Sequence, residues 1–161
     1  MDLFWRWKRM AAMEAAELYE ILKLRQDIFV IEQSCIYPDL DNRDTLSWHL
    51  SGLDADGALA AYLRVIPADA RNPLPRIGRV AVPQAHRGKG LARALVSEGI
   101  RRTHALHPGS AIRISAQEYL VRFYGSLGFE ARGNTYLEDG IPHVDMILPS
   151  PASPPGPSAP A

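Results

Sequence analysis

The chain has 161 residues, of which 47% are hydrophobic and 22% are charged, and its formal net charge is zero. This length suits one domain with one hydrophobic core, and the charge balance argues against a nucleic-acid-binding or membrane-surface protein. No apolar run approaches the roughly 18–20 residues of a membrane span, and we expect no signal peptide at the amino terminus. Cys35 is the only cysteine, which excludes an intrachain disulfide and favours the reducing cytoplasm.

The first part of the chain predicts a strand, a helix and two further strands. Residues 4–8 alternate large apolar and basic side chains, which is typical of a strand. Residues 11–29 carry an apolar stripe at helical spacing, with acidic residues toward the start and basic residues toward the end. Two strands follow at residues 47–53 and 58–66, joined by a hairpin loop that ends in glycine.

A polar stretch at residues 32–44 separates this helix from the strands. It carries Asp39, Asp41 and Asp44, and loops of this length in compact domains are often functional. The three carboxylates would favour a cationic ligand nearby, or they would simply be solvated.

The second part of the chain predicts a strand–helix–strand unit followed by a short helix and a hairpin. The two strands of the unit are residues 76–82 and 111–116, and the helix between them is 90–106, which implies a parallel crossover. A short helix at 119–127 precedes strands at 129–136 and 143–148, joined by residues 137–142. Residues 149–161 are almost entirely Pro, Ser, Ala and Gly, so we predict one domain over 1–148 and a disordered tail.

The most informative segment runs from the strand at residues 76–82 into the next helix. Pro83 ends the strand, and Gly88 and Gly90 precede the helix. Glycines allow a ligand to approach the backbone closely, and a helix start presents unpaired N–H groups and a positive dipole end. Arg87 and Lys89 add positive charge. The segment therefore predicts a phosphate or pyrophosphate site.

The spacing of this loop excludes two common nucleotide-binding patterns. No segment supplies the NTPase loop G-x-x-x-x-G-K-[ST], and Arg93 occupies the third glycine position of a dinucleotide fingerprint. The pattern Arg87-x-x-Gly90-x-Ala92 instead resembles the coenzyme A loop of the GNAT N-acetyltransferases, R/Q-x-x-G-x-G/A. The resemblance implies acetyl-CoA as cosubstrate. It also implies cofactor binding by Val80, Ala81, Val82, Arg87, Gly88, Lys89, Gly90, Leu91 and Ala92.

A second motif lies on the short helix after the crossover. Residues 123–129, with the sequence FYGSLGF, resemble the GNAT segment F-Y-x-x-x-G-F. In that family the tyrosine usually lies beside the coenzyme sulfur, which implies this position for Tyr124. Because a phenol has a pKa near 10 and a thiol one near 8.5, the hydroxyl can protonate a developing thiolate. The alternative is an aromatic residue that packs the helix against the core.

The general base is not fixed by the family resemblance. An ammonium acceptor must lose a proton before it attacks, so a carboxylate or a histidine is needed. The candidates by residue type are Glu32, His49, Glu138 and His143, of which we favour Glu32 and His143. His86, His104 and His107 are interpreted as surface residues. No His and Asp pair has the spacing of metal ligands, so we expect no metal site.

Four further segments resemble the ElaA-type subfamily of GNAT proteins. They are residues 29–33 (FVIEQ), 37–41 (YPDLD), 48–50 (WHL) and 138–143 (EDGIPH). The resemblance covers residues 3–148 and implies the GNAT α/β fold, with a mixed sheet of six or seven strands flanked by three or four helices. It also implies a small-molecule or peptide amine as acceptor and a homodimer.

Three functional hypotheses follow from these patterns. The first is an acetyl-CoA-dependent N-acetyltransferase that acts directly on a primary amine, without a covalent intermediate on Cys35. The second is a non-catalytic acyl-CoA-binding module, in which the glycine loop would look the same. The third is a toxin- or antitoxin-like protein that acts on an aminoacyl group, but the zero net charge argues against strong RNA binding.

Overall fold

The computed structural model describes residues 2–151 of the chain. Its strands are β1 (Phe4–Arg9), β2 (Trp48–Leu53), β3 (Leu59–Ile66), β4 (Arg76–Ala81), β5 (Ile112–Gln117), β6 (Glu130–Glu138) and β7 (Ile141–Leu148). Its α-helices are α1 (Ala15–Arg25), α2 (Leu91–Leu106) and α3 (Val121–Gly125). The strands form one mixed sheet in the order β1-β2-β3-β4-β5-β7-β6. The predicted element order and fold class are confirmed.

The hydrophobic core lies between one face of the sheet and helices α2 and α3. Strand side chains alternate between the two faces of a sheet, so Leu63 on β3 and Ile114 on β5 point toward Leu95 on α2. Gly99 lets α2 lie close to β3, because a Cβ at this position would be 2.7 Å from a methyl carbon of Leu63. The buried stripe of α2 therefore fixes the crossover between β4 and β5.

Helix α1 lies over the opposite face and ends in an unusual turn. The helix predicted over residues 11–29 begins at Ala15, because residues Met10–Ala12 form a separate 3₁₀ turn. At its other end it continues as a π-helical turn over Gln26–Glu32. Such turns occur frequently at functional sites because they change the direction in which successive side chains point. Here Ile28, Phe29 and Glu32 all line an open cleft, and of these three only Ile28 is buried.

The cleft exists because the sheet opens between β4 and β5. These parallel strands share the register pair Arg76↔Arg113, and within residues 2–151 they have no second pair. On its other side, β4 has a bulge where it pairs with β3, and Arg79 adopts a φ of 53° there. The bulge redirects the backbone of the following residues. Residues 80–82 therefore present an edge that β5 does not cover.

The connection between β6 and β7 differs from the prediction. We expected residues 137–142 to form the turn, but only Asp139 and Gly140 lie outside the two strands. Their φ angles of 48° and 78° are those of a tight two-residue hairpin. Glu138 and His143 therefore lie within strands, and His143 pairs with Tyr136 on one side and Gln117 on the other.

The described residues end shortly after β7. Residues 152–161 of the predicted tail lie outside the described part of the chain, so the division at residue 148 stays a prediction. None of the helices in residues 2–151 combines the length and the hydropathy that crossing a bilayer requires.

Candidate active site

A cleft of about 1020 Å³ lies between the end of α1 and the open face of β4, β5 and β7. This volume is at the upper end of the range typical of small-molecule and cofactor sites. Among the predicted site residues, the cleft is lined by Glu32, Val80, Ala81, Val82, Arg87, Ala92, Tyr124, Glu138 and His143. Gly88, Lys89, Gly90 and Leu91 lie on the loop and helix start that continue from it. The structure therefore brings together side chains from distant parts of the sequence.

The glycine loop has the geometry of an anion cradle. Gly88 and Gly90 have φ angles of 74° and 77°, which L-residues rarely adopt. A Cβ built on either residue would have no other atom within 4 Å, so the space beside the loop is open. Gly90 is the N-cap of α2 and provides no side-chain cap. The N–H groups of the first turn are thus directed at a space that fits a phosphate group.

Arg87 does not project freely from this loop. Its two terminal nitrogens donate to the carboxylate oxygens of Glu32, each at 2.9 Å, and its Nε donates to the Val82 carbonyl at 3.0 Å. Both charged side chains are more than 40% exposed, and exposed pairs of this kind contribute at most about 1 kcal/mol. A predicted cofactor residue and a predicted base thus form one weak ion pair. Both of their roles stay predictions.

Tyr124 is fixed in position by two aromatic neighbours. Its ring makes edge contacts with Phe123 and Phe129, at centroid distances of 5.0 and 5.9 Å. The side chain lines the cleft, and its hydroxyl has no hydrogen-bond partner among residues 2–151. Burial raises the pKa of this phenol above its ordinary value of 10, with a smaller contribution from Tyr119. The hydroxyl therefore stays protonated at neutral pH, as a proton donor must.

His143 presents one free ring nitrogen to the cleft. Its Nδ1 lies 2.8 Å from the carbonyl oxygen of Ile141. A carbonyl only accepts hydrogen bonds, so Nδ1 carries the proton and Nε2 keeps its lone pair in the neutral ring. The ring stacks on Tyr136 at a centroid distance of 6.3 Å. This arrangement is suitable for a general base.

His49 is not suitable as a base. The ring is buried in the interior, its Nε2 lies 2.9 Å from the Asp44 carbonyl and its Nδ1 lies 2.7 Å from the Tyr62 hydroxyl. Both nitrogens are therefore occupied, and burial lowers its pKa. The three histidines interpreted as surface residues are in fact half-buried, and none lines the cleft. They are His86, His104 and His107.

The segment after the π-helical turn reaches across the cleft. Gln117 on β5 donates from its amide nitrogen to Gln33 at 3.2 Å. The Cys35 thiol lies 3.4 Å from the carbonyl oxygen of Asp139 in the β6–β7 turn. Together with the Arg87–Glu32 pair, these contacts close one side of the cleft. The Cys35 thiol is therefore buried in a contact with the β6–β7 turn, which is a structural role.

A polar chain along β5, β6 and β7 was not predicted from the sequence. The Ser115 hydroxyl donates to the Glu138 carboxylate at 3.0 Å and also contacts the Tyr136 hydroxyl. Tyr136 donates to Asp145 at 3.1 Å, and Asp145 accepts from Arg113 at 2.7 Å. The only signal in the sequence is strand alternation, which places these polar side chains on the face opposite the core.

The three aspartates of residues 32–44 form ion pairs with arginines of the same chain, and Asp39 and Asp44 are buried. Asp39 accepts from Arg25 at 2.9 Å and from Arg79 at 2.6 Å. Three further pairs are Arg25–Asp44, Arg64–Asp41 and Arg64–Asp44, at 2.6, 2.7 and 2.9 Å. We name these three arginines and three aspartates the ion-pair network: Arg25, Arg64, Arg79, Asp39, Asp41 and Asp44. The expectation that these carboxylates attract a cationic ligand or remain solvated is therefore wrong. Arginines from α1, β3 and β4 neutralise them instead.

Comparisons with known proteins agree with this geometry. Residues 30–149 match the acetyltransferase (GNAT) domain family. The chain is 39% identical over 148 residues to a UPF0039 protein of Synechocystis sp., covering 92% of this chain and 96% of that one. It is 35% identical over 144 residues to protein ElaA of Escherichia coli, with coverages of 88% and 94%.

Two solved structures are similar over nearly the whole chain. The crystal structure of E. coli ElaA superposes with a TM-score of 0.84 at 33% identity, covering 90% of this chain and 98% of that one. An acyl-CoA N-acyltransferase from Pseudomonas aeruginosa gives a TM-score of 0.86 at 37% identity, with coverages of 91% and 99%. The GNAT resemblance of the glycine loop and the ElaA-type segments is thus confirmed. The chain belongs to the GNAT family of acyl-CoA-dependent acyltransferases and is ElaA-like within it.

Proposed function

We propose that this protein is a cytoplasmic N-acetyltransferase that transfers the acetyl group of acetyl-CoA directly to a primary amine of a small molecule or peptide. Family membership supports the acyl-CoA-dependent transfer. The acetyl group, the primary amine and the cytoplasm are our proposal. The observation that carries it is the presence, in one cleft, of the free hydroxyl of Tyr124 and of the ring of His143, whose Nε2 has no hydrogen-bond partner among residues 2–151.

The residues of the cleft have separate tasks in this proposal. Acetyl-CoA supplies an acyl group that is activated by its bond to sulfur. The N–H groups of residues 88–92 hold the pyrophosphate, and the backbone of Val80 to Val82 holds the pantetheine arm. Because Leu91 is buried, only its backbone can take part. The cradle geometry of Gly88 and Gly90 supports this assignment.

Three proton transfers complete the reaction. His143 accepts at Nε2 the proton that the acceptor ammonium must lose, so that the amine nitrogen can form the new bond to carbon. As the carbon–sulfur bond breaks, Tyr124 donates its hydroxyl proton to sulfur. The nitrogen releases its second proton to solvent as it becomes an amide, and solvent returns one proton to Tyr124 and takes one from His143. Glu32 is the alternative base, and it would have to leave Arg87 first.

The proposal is tested by binding and by thiol release measured separately. Acetyl-CoA and CoA are titrated calorimetrically, and thiol release from acetyl-CoA is followed with a panel of primary amines. We expect Tyr124→Phe and His143→Gln each to lower kcat by about 10²-fold or more, with the dissociation constant of acetyl-CoA little changed. Tyr19→Phe, on the exposed outer side of α1, is the matched control and should behave as wild type.

The outcomes distinguish the rival functions. Binding of acetyl-CoA without amine-dependent thiol release would replace the enzyme with a binding module. Failure to bind either ligand below millimolar concentration would overturn both. A fully active Tyr124→Phe protein would remove the acid role of this residue.

A further inference from the structure

Three arginines meet at the end of the cleft that lies away from the glycine loop. Arg76 and Arg113 are register partners at the starts of β4 and β5, and Arg43 belongs to the loop before β2. All three side chains line the cleft. We name them the arginine cluster. Paired residues of adjacent parallel strands project from the same face of the sheet, so Arg76 and Arg113 are close neighbours of like charge.

The cluster has fewer counter-ions than cations. Arg113 donates to Asp145 at 2.7 Å. Over residues 2–151, the side chains of Arg43 and Arg76 have neither a salt bridge nor a hydrogen bond, and the Nε of Arg76 is buried without a partner. Burial lowers the pKa of Arg76, and the charges of Arg43 and Arg113 lower it further.

The charge of Asp69 acts in the opposite direction and raises the pKa of Arg76. Its Oδ1 is already occupied by the backbone N–H groups of Arg71 and Asn72, both at 2.8 Å. It therefore holds its own loop in place and makes no ion pair with Arg76. An uncompensated, partly buried guanidinium is costly to the fold, which is the arrangement expected where a ligand supplies the missing charge.

The position of the cluster separates it from the cofactor phosphates. β4 and β5 run parallel from the cluster toward the glycine loop and Tyr124, and Arg113 and Gln117 are the second and last residues of β5. At about 3.3 Å per residue, they are roughly 13 Å apart along the strand. Ser115, which is hydrogen-bonded to Glu138, lies between Arg113 and Gln117 on β5 and is about 7 Å from Arg113 along the strand.

We propose that the arginine cluster binds an anionic group of the acceptor, so that the substrate is an amine that also carries a carboxylate or a phosphate. This inference rests on the proposed function. The planar guanidinium fork matches both anions with two parallel hydrogen bonds. Glu138 and Ser115, near the middle of the cleft, then help to direct the amine toward His143, while the cluster holds the other end of the molecule.

The test compares amine acceptors of similar length that differ in the group at the end opposite the amine. The probes are 5-aminopentanoate, its uncharged primary amide and 4-aminobutyl phosphate, each titrated calorimetrically into the protein saturated with CoA. We expect the amide to bind about 10- to 100-fold more weakly than the better of the two anions, because charged hydrogen bonds are lost. Which anion binds more tightly identifies the source of the charge.

Variants locate the effect within the cleft. Arg76→Met and Arg43→Met should each reduce anion binding about tenfold or more and leave the affinity for the amide and for CoA unchanged. Arg101→Met removes one charge from an exposed position on α2 and should behave as wild type. Thiol release with the same acceptors should show the same order of kcat/KM.

Each result supports or overturns the inference. Equal binding of the amide and both anions would refute it, as would a loss of CoA affinity in Arg76→Met equal to its loss of anion affinity. If no amine gives thiol release but anion binding still depends on Arg76, the proposed function fails and the anion site stands.

Discussion

Arginines of two groups line the cleft and differ in their counter-ions, and Arg25 of the first group is buried away from it. In the ion-pair network, Arg25, Arg64 and Arg79 face three aspartates, and each guanidinium is bonded to at least one of them. In the arginine cluster, only Arg113 has an acidic partner within residues 2–151. The comparison indicates that charge alone does not identify a ligand site. A cationic side chain becomes a candidate for binding when the fold leaves its charge uncompensated.

The network holds together parts of the chain that are far apart in sequence. Arg25 at the end of α1 is completely buried, and it joins Asp39 and Asp44 of the following loop. Arg79, at the bulge of β4, reaches the same loop through Asp39 and lies over the rings of Phe29 and Tyr37. These contacts fix both walls of the cleft and offset the cost of the positive φ at Arg79.

The largest effect is expected from removal of one shared carboxylate of the network. Asp44→Asn removes the negative charge that Arg25 and Arg64 now share at 2.6 and 2.9 Å, and leaves them only a neutral amide oxygen. Loss of one partner from a buried ion pair typically costs about 3–5 kcal/mol, and urea unfolding should show a fall of this size. Asp56→Asn, in the exposed hairpin loop, is the control. A loss below about 1 kcal/mol for Asp44→Asn would show that the network is not structural.

A smaller loss of folding stability is expected when the pH is lowered. Burial raises the pKa of Asp41, but hydrogen bonds and charge from Arg64 outweigh it and lower the pKa from 3.8 to about 2. The Asp44 pKa is lowered for the same reason, by Arg25 and Arg64. A lowered carboxyl pKa stabilises the fold above the unfolded value, and this contribution is lost as the pH falls through the folded value.

The free energy of unfolding should therefore fall by about 2 kcal/mol between pH 4 and pH 2 for Asp41 alone. Urea titrations at intervals across this range measure it, and Asp41→Asn should flatten the curve. A wild-type stability that does not change between pH 4 and pH 2 would contradict the charge assignment in the network.

Local patterns predicted the fold and the position of the glycine loop before α2. The apolar periodicity and the breaks at Pro83 and Gly128 placed the strands and helices, and the Arg87-x-x-Gly90-x-Ala92 spacing placed the loop before α2. Each of these signals acts within a few residues along the chain. The connection between the last two strands was predicted correctly, but the turn given as 137–142 was too long. Pro142 and the Asp139-Gly140 pair are typical of turns, although Leu137 and Pro142 pair with each other across β6 and β7.

The wall of the cleft formed by residues 25–44 could not be predicted in this way, because its contacts join residues that are far apart. Asp39 and Arg79 are 40 positions apart, and Gln33 and Gln117 are 84 apart. A partial signal was present in Arg64, a charged residue between Leu63 and Val65 in an apolar strand. Such a residue requires a counter-ion on the second face of the sheet, but the sequence does not indicate which one.

The most direct test of the distinction between the two arginine groups is the melting temperature of Arg76→Met and wild type, with and without the preferred anionic acceptor, in saturating CoA. The melting temperature of wild type should rise by about 5 °C or more when the acceptor concentration is about 100 times its dissociation constant. Arg76→Met should melt at or above the wild-type temperature without acceptor, since a repulsive, unpartnered charge is gone, and its rise on addition of the acceptor should be at most about half that of wild type. A variant that melts several degrees lower without acceptor, or responds to it as wild type does, would contradict the account.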